Sequence, residues 1–534
     1  MPKNRSIHFI GISGTAMASL ARAFKIAGFK ITGSEAEHIF PPMSNYLVKN
    51  KIRYYAPFNA DKVGKPDEIV IGNAHYSAEN PEVAYARKHN IELEHFPRFI
   101  EKYLIKKNSV VVAGTYAKTT TTAMLAWVLD KSGKNPNYML GGIPINFQHG
   151  AGLASSDWSV VEGDEYPAAS PWDFSPKFDF YHPKFLLLTS AEWDHMDIFK
   201  TKKSYLDAFK KLVASVPKDG LIVAKIDGEN LREVLKSAKC KIILYAGCHP
   251  ELLKGMNDPV FSKKNFYYID HIKINGKITE FVLKKYNHYS VIPRSSATLA
   301  LPVIPAQAGI PSAKHRILNQ RKIASGNLSQ DDKSALDENI IIGKFTTQLL
   351  GKFNLENWCG ALALALELGA PVKILQKAVA DFKGVKRRLE IRAQKNGVTI
   401  IDDFAHSPSK AKQSVMALKI HFPKEKIYVI FEPNRGGRSI KCLKSYNNVF
   451  KGVNKIFIPK LSNYKPKPGV IDVSGAELAQ YLSQTHKNVS YEENNEKILA
   501  WLKTHAKKNT LIAFLGSRDF GGMIEKMINK IKTK

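Results

Sequence analysis

Short apolar runs, each followed by a turn and a helical stretch, recur from one end of the chain to the other. Ile7–Ile10 leads through Gly11-Ile12-Ser13-Gly14 into an Ala-rich helix from about Thr15 to Gly28, and Lys30-Ile31-Thr32 follows. Ser109–Ala113 leads through Gly114-Thr115-Tyr116-Ala117-Lys118-Thr119-Thr120 into a helix through Leu129. Lys184–Thr189, Val398–Ile401, Ile427–Phe431, Lys455–Ile458 and Leu511–Leu515 are further apolar runs of the same kind. Strands joined through helices lie parallel, because a hairpin turn is too short to hold a helix. The expected class is therefore α/β with mainly parallel sheets.

A chain of 534 residues corresponds to about three domains of ordinary size. The strand pattern places them at 1–105, 106–383 and 384–534. The first and last read as Rossmann-like units, and the middle one as a P-loop-type ATPase domain. One stretch fits no element. From Tyr286 to Asn339 periodicity is lost, and Pro293, Pro302, Pro305 and Pro311 fall there. A structureless segment of that length inside a compact domain reads as a flexible insertion at 286–339.

The formal net charge is +31, and the last 151 residues carry more than half of it, with 29 Lys and Arg against 12 Asp and Glu. Such an excess invites an anionic partner. Only 15 of the 79 cations are Arg, whereas base-reading proteins favour bidentate Arg. The excess therefore reads as lysine on solvated helices rather than as a nucleic-acid surface. Four cysteines without a C-x-x-C pair make neither a disulfide framework nor a zinc site. Met1–Ile12 has no signal-peptide core, and no apolar run approaches the roughly 18 residues of a membrane helix. The expected location is the cytoplasm.

Three groups of residues carry chemistry. In the second strand–turn–helix unit, the Gly114 loop can turn its amides toward phosphate, Lys118 can reach β/γ oxygens, and the Thr119 hydroxyl suits Mg²⁺. The residue before the lysine is Ala117, at a position that often adopts a conformation costly for a Cβ. Glu162-Gly163-Asp164-Glu165 and Asp194-His195-Met196-Asp197 each follow a strand, and carboxylate with imidazole can hold a divalent ion beside phosphates. Late in the chain, Arg387-Arg388, Asp402–His406 and Glu432–Arg438 flank further strand ends. Arg435 and Arg438 could grip carboxylates. The first turn is weaker evidence. Gly11 and Gly14 allow close approach to an anion at a helix N-terminus, but a full G-x-G-x-x-G would need glycine where Phe9 stands.

In this order the motifs resemble the Mur ligases, ATP-dependent amide-forming ligases of peptidoglycan assembly, over essentially the whole chain outside the insertion. Three segments are most similar to the family member that joins UDP-N-acetylmuramate to the tripeptide L-alanyl-γ-D-glutamyl-meso-diaminopimelate in murein recycling. They are Thr32-Gly33-Ser34 with Pro41–Ser44, Ile71–Ala74, and Gly141–Pro144 with Asn146-Phe147.

The resemblance implies that Gly11, Ser13, Gly14 and Thr15 meet the UDP-sugar. It implies that Gly114, Thr115, Ala117, Lys118, Thr119 and Thr120 cradle ATP, with Thr119, Glu162 and His195 holding Mg²⁺. Lys118, Glu162 and His195 are then the catalytic set. Asn354 and Asn357 match an adenine-contacting element, and Arg388, Asp403 and His406 match nucleotide-facing positions of the third domain. Arg435 and Arg438 are candidates for the peptide. No nucleic acid, membrane or obligate protein partner is implied. The chain departs from the family pattern at Ala117 (usually Gly), Tyr116 (His in close relatives), Ser190 (usually Asn) and Phe353 (usually His). Addition of L-alanine on the same scaffold, and a nucleotide-binding homologue with weakened turnover, remain open.

Overall fold

A computed structural model of the chain describes residues 5–41, 43–75, 77, 79–194, 198–226, 229–248, 265–287, 338–461 and 471–533. The fold is α/β throughout, as the recurrent strand–helix pattern requires, and it is organised on three main sheets.

The first sheet holds β1 (Ser6–Ile10), β2 (Lys30–Ser34), β3 (Arg53–Tyr55), β4 (Glu68–Ile71) and β5 (Glu92–His95). Its order is β3-β2-β1-β4-β5 and every pairing is parallel. The order reverses direction between β1 and β4, so a crevice opens beyond their C-terminal ends.

The second sheet is built on β6 (Asn108–Ala113), β7 (Asn137–Met139), β8 (Ala151–Gly152) and β9 (Trp158–Gly163). After a separate two-stranded ribbon of β10 (Pro167–Ala169) and β11 (Asp173–Pro176) it continues with β12 (Phe185–Leu188), β13 (Leu221–Lys225) and β14 (Lys241–Ala246). It closes on β15 (Phe266–Asn275), β16 (Ile278–Asn287) and β17 (Glu338–Thr347). The order is β17-β16-β15-β14-β13-β12-β6-β9-β7-β8. The β14-to-β7 centre is parallel, with β6 between β12 and β9, and the long β15–β17 ribbon is antiparallel. Val110 to Ala113 and Leu186 to Leu188 are fully buried, because helices cover both faces.

The third sheet holds β18 (Glu390–Lys395), β19 (Val398–Asp403), β20 (Lys426–Glu432), β21 (Lys455–Pro459), β22 (Val489–Glu492) and β23 (Thr510–Gly516). Its order is β18-β19-β23-β20-β21-β22, parallel except for the β18–β19 hairpin.

The expected insertion needs a correction at its edges. Tyr286 and Asn287 end β16, and they pair with Asn339 and Glu338 at the start of β17. Backbone pairing holds these four residues in the sheet, so both strands run further than apolar periodicity suggests. The remainder of the insertion lies outside the described residues.

The sheets are docked by specific contacts. Tyr46 Oη lies 3.0 Å from His149 Nδ1, and Ser19 Oγ accepts the Gly150 amide at 3.2 Å, joining the first sheet's helices to the second unit. His421 joins the second to the third: its Nε2 accepts the Gly351 amide (2.9 Å) and its Nδ1 meets the Gly276 carbonyl (2.7 Å). Since Nε2 is an acceptor there, Nδ1 carries the proton and the ring is neutral.

Candidate active site

The C-terminal ends of β6, β9 and β12 converge on the loop 114–117. Gly114 has φ of +138°, and a Cβ there would stand 2.2 Å from Thr189 Oγ1, so only glycine fits. Ala117 takes φ 64° and ψ −3° as N-cap of the helix Lys118–Lys131. This left-handed conformation costs an L-residue about 1 kcal/mol or more. The backbone between them is pinned from β12: Thr189 Oγ1 donates to the Tyr116 carbonyl (2.6 Å), and the Tyr116 amide donates to Ser190 Oγ (3.2 Å). Two of the departures from the family pattern, Tyr116 and Ser190, thus touch each other. Thr115 Oγ1 bonds the Glu192 carbonyl (2.7 Å) and Tyr205 Oη (2.8 Å).

Lys118 opens the helix, and its ammonium donates to the Gly114 carbonyl (2.7 Å) and to Glu165 Oε2 (2.8 Å). Its side chain is 13% exposed and that of Glu165 is fully buried. Burial alone would lower the lysine pKa, but Glu165, Asp164 and Glu162 outweigh it and hold the group above its usual value. Asp164 is itself held below the usual carboxylate range: burial opposes this, and Lys177 and Lys118 overcome it. Lys177 Nζ donates to Asp164 Oδ2 at 2.6 Å. One residue on from Lys118, Thr119 Oγ1 donates to Glu162 Oε1 (2.7 Å), and Glu162 Oε2 accepts the Gly141 amide (2.6 Å).

A hydroxyl and a carboxylate side by side at a helix N-terminus fit the habit of Mg²⁺, which binds a few protein oxygens and fills the rest of its octahedron with water and phosphate oxygens. Among the described residues no cluster of three or more His, Cys, Asp or Glu is arranged to hold a metal ion by itself. His195, the third candidate ligand, lies outside the described residues. The hydroxyl of Thr120 has no described role, and its backbone continues the helix.

A further group of candidate residues lies at the start of the third sheet. Arg387 and Leu389 both have positive φ, 59° and 47°, on either side of Arg388. Strain of this kind persists only where surrounding contacts enforce it. Here Arg387 enforces it, donating to the carbonyls of Gly516 (2.8 Å), Ser517 (2.9 Å) and Arg518 (2.6 Å). Arg387 and Arg388 both lie over the Phe404 ring, each 5.3 Å from its centre. Asp403 is buried, accepts from the Ser414 hydroxyl, and has its carboxyl pushed up by burial. His406 Nδ1 donates to the Phe404 carbonyl (2.7 Å), and burial and Lys410 push the ring down to about 4.

Asn354 and Asn357 sit in the first turns of the helix Lys352–Glu367. Asn354 Nδ2 donates to the Leu350 carbonyl (2.8 Å), and Asn357 Nδ2 to Asn354 Oδ1 (3.2 Å). Phe353 beside them packs against the third sheet's core, the cluster that includes Ala417. Arg435 Nε lies 3.4 Å from Asp472 Oδ2. Arg438 is buried, and its backbone ties the Arg435 carbonyl to the Val473 amide.

In the first sheet's crevice, Gly11 has φ of +82°, and the His75 ring stands where a Cβ would go. The Ser13 amide donates to Glu35 Oε2 (3.1 Å), and Glu35 Oε1 lies 3.5 Å from His75 Nε2. Gly14 caps the helix Thr15–Ile26 without a side-chain bond, and Thr15 Oγ1 points at the Met43 sulfur.

Sequence reasoning missed several of these residues. Glu35 was legible as an acid directly after β2, a usual partner of a nucleoside in such folds. His75 and Lys410 gave no local signal. Among the described residues no helix is long and apolar enough to cross a membrane.

Comparison with known proteins gives the family. Residues 6–108 match the Mur ligase family catalytic domain, 112–287 the Mur ligase middle domain, and 387–518 the Mur ligase glutamate ligase domain. UDP-N-acetylmuramate–L-alanine ligase of Desulfitobacterium hafniense is 26% identical over 514 residues, 96% of this chain and 97% of the relative. UDP-N-acetylmuramate–L-alanyl-γ-D-glutamyl-meso-2,6-diaminoheptandioate ligase of Escherichia coli is 29% identical over 415 residues, 77% of this chain and 75% of the relative. The solved UDP-N-acetylmuramate–alanine ligase of Thermotoga maritima shares the fold, with a TM-score of 0.72 at 21% identity over 99% of both chains. With three consecutive family domains and a phosphate-type loop at the strand ends of the middle one, the chain belongs to the Mur ligase family, the ATP-dependent, ADP-forming amide-bond ligases of peptidoglycan synthesis.

Proposed function

We propose that this ligase joins UDP-N-acetylmuramate to the tripeptide L-alanyl-γ-D-glutamyl-meso-diaminopimelate, in the cytoplasm, with ATP and Mg²⁺. The observation that carries the reaction is the pairing of Lys118 with Glu165 beside Thr119 and Glu162. A single buried ammonium is held between a carbonyl and a carboxylate at the mouth of a phosphate-type loop. Residues 106–383 then bind ATP, 1–105 the UDP-sugar through Gly11, Ser13, Gly14 and Thr15, and 384–534 close over the nucleotide and receive the peptide.

The residues act as follows. Lys118 leaves Glu165 for β/γ oxygens and neutralises charge as the muramoyl carboxylate approaches the γ-phosphorus. The carboxylate O–P bond forms, the β–γ bridge breaks, and ADP departs. The peptide α-amine then attacks the acyl carbon, the C–O bond to phosphate breaks, and the amine proton passes to solvent. Thr119, Glu162 and His195 would hold Mg²⁺, which supplies charge neutralisation for the two meeting anions. Removal of one such preorganised donor costs about 10²–10³ in rate.

The tripeptide is supported by the three segments quoted above and by the cationic pair Arg435 and Arg438 at the end of β20. The relative of E. coli whose name carries that tripeptide is similar over three quarters of this chain. L-alanine is a second reading, because a relative named for it aligns over nearly the full length. Phosphate release from ATP, measured with UDP-N-acetylmuramate and either amine, separates the two. Release stimulated by the tripeptide and not by free L-alanine is expected; the reverse overturns the tripeptide reading.

A further inference from the structure

The loop 140–150 joins β7 to β8, and the Leu140 amide closes its base on the Gly150 carbonyl (2.9 Å). The loop touches both described candidates for Mg²⁺. The Gly141 amide donates to Glu162 Oε2 at 2.6 Å, while the Thr119 hydroxyl holds the other oxygen of that carboxylate at 2.7 Å. Gly142 is wedged beside them: a Cβ there would stand 2.8 Å from Thr119 Cγ2 and 2.9 Å from Val385 Cγ1.

Val385 belongs to the link between the second and third sheets, and residues 143–146 run along that link as a short antiparallel ladder. The Lys386 amide donates to the Ile143 carbonyl (2.9 Å), Pro144 pairs with Val385, and the Ile145 amide donates to the Gly384 carbonyl (2.9 Å). The Asn146 carboxamide extends this pairing. Its Nδ2 donates to the Asp381 carbonyl (2.8 Å), and its Oδ1 accepts the Lys383 amide (2.7 Å). A little further on, Arg387 fastens the same link to the third sheet through the carbonyls of Gly516, Ser517 and Arg518. The link is thus clamped at both ends, and its clamp on the second unit is one contact away from Thr119 and Glu162.

A carboxylate that ligates a metal is oriented by the groups hydrogen-bonded to it, and losing such a partner costs about 10–100-fold in metal affinity or activity. We infer that Asn146 is a positioning residue for the metal site: by clamping the link 381–386 to the loop 140–150, it keeps the Gly141 amide on Glu162 and couples docking of the third sheet to the readiness of Thr119 and Glu162 for Mg²⁺. This rests on the Mg²⁺ reading of those two residues above. With the clamp open, a smaller share of molecules presents Glu162 ready for the metal, and apparent affinity for Mg²⁺-ATP falls by that share. By linkage, bound Mg²⁺-ATP favours the clamped link. The Asn146 side chain is partly exposed, so its removal leaves the core intact.

The test measures ATP binding to the full chain by calorimetry, with Mg²⁺ or with EDTA and without muramate. Wild type, Asn146→Ala, Asn146→Asp, Glu162→Gln and the double variant Asn146→Ala with Glu162→Gln are compared. Asn146→Ala is expected to weaken ATP binding about fivefold in Mg²⁺, the scale of one net hydrogen bond, and less than twofold in EDTA. Asn146→Asp keeps the acceptor for the Lys383 amide and should lose less. In the Glu162→Gln background, Asn146→Ala should change binding in Mg²⁺ less than twofold, because residues acting through one contact are not additive. A loss of equal size with and without Mg²⁺, a fivefold loss that persists in the Glu162→Gln background, or no loss at all overturns the assignment while the metal site stands. Wild-type protein whose ATP binding Mg²⁺ does not strengthen overturns the metal-site reading itself, and this one with it.

Discussion

Replacing Lys118 by methionine separates what its ammonium does for folding from what it does for chemistry. Methionine preserves the stem and deletes the charge, so Glu165, fully buried, loses its ammonium partner at 2.8 Å. Breaking a buried ion pair from one side costs about 3–5 kcal/mol, because a carboxylate is left in low dielectric. Neutralising both sides removes most of that penalty, so Lys118→Met with Glu165→Gln should return to within about 1 kcal/mol of wild type. Catalysis should not return. Both variants lack the cation at the β/γ oxygens and should lose at least about 10²-fold in phosphate release. The assay is denaturant unfolding of wild type, both single variants and the double variant, with turnover measured on each. A single Lys118→Met variant as stable as wild type would refute the ion-pair argument. A stable double variant with wild-type turnover would refute the role of Lys118 at the phosphates.

Ala117→Gly should relieve the left-handed strain at φ 64°. The gain of about 1–2 kcal/mol is partly offset by about 0.4–1 kcal/mol of added unfolded-chain entropy, leaving a small net stabilisation in a melting experiment. Gly114→Ala should abolish nucleotide binding, read by calorimetry, since its Cβ would stand 2.2 Å from Thr189 Oγ1 and 2.8 Å from the Ser190 backbone. The neutral histidines give a pH signature. Burial pushes His149 and His406 down to about 4, and lowers His421 as well. The unfolded chain takes up these protons first, so their contribution is complete above about pH 6.5 and is lost as pH falls toward 4. Denaturant midpoints should therefore fall between pH 6.5 and 4.5, above most carboxylate titrations, and His406→Gln should flatten that slope.

The strand–helix architecture was legible because its signal is local. The apolar runs at 109–113, 398–401 and 511–515 are strands within a residue or two, since each is buried on both faces and flanked by a glycine or polar turn. The phosphate-type loop was legible for the same reason: its strand, glycine, lysine and threonine are contiguous. The strain expected at Ala117 is present as a left-handed φ. What could not be read are partners brought from a distance. Glu165 was one acid in a run, and nothing local marks it rather than Asp164 as the partner of Lys118. The pairing of Tyr116 with Ser190 spans β6 and β12, so two apparent departures became one contact only in three dimensions. The ends of the insertion were misplaced because Asn287, Glu338 and Asn339 are polar residues in an antiparallel ribbon, where the ladder rather than an apolar run defines the strand.

Transfer of oxygen from the muramate carboxylate to phosphate tests the central claim most directly. UDP-N-acetylmuramate labelled with ¹⁸O in its carboxylate is incubated with ATP, Mg²⁺ and the tripeptide, and the released phosphate is weighed by mass spectrometry. Activation of the carboxylate at the Lys118 loop predicts one ¹⁸O in each phosphate released, in step with amide formed. Unlabelled phosphate would mean that water, not the carboxylate, receives the γ-phosphoryl group, and would contradict the account.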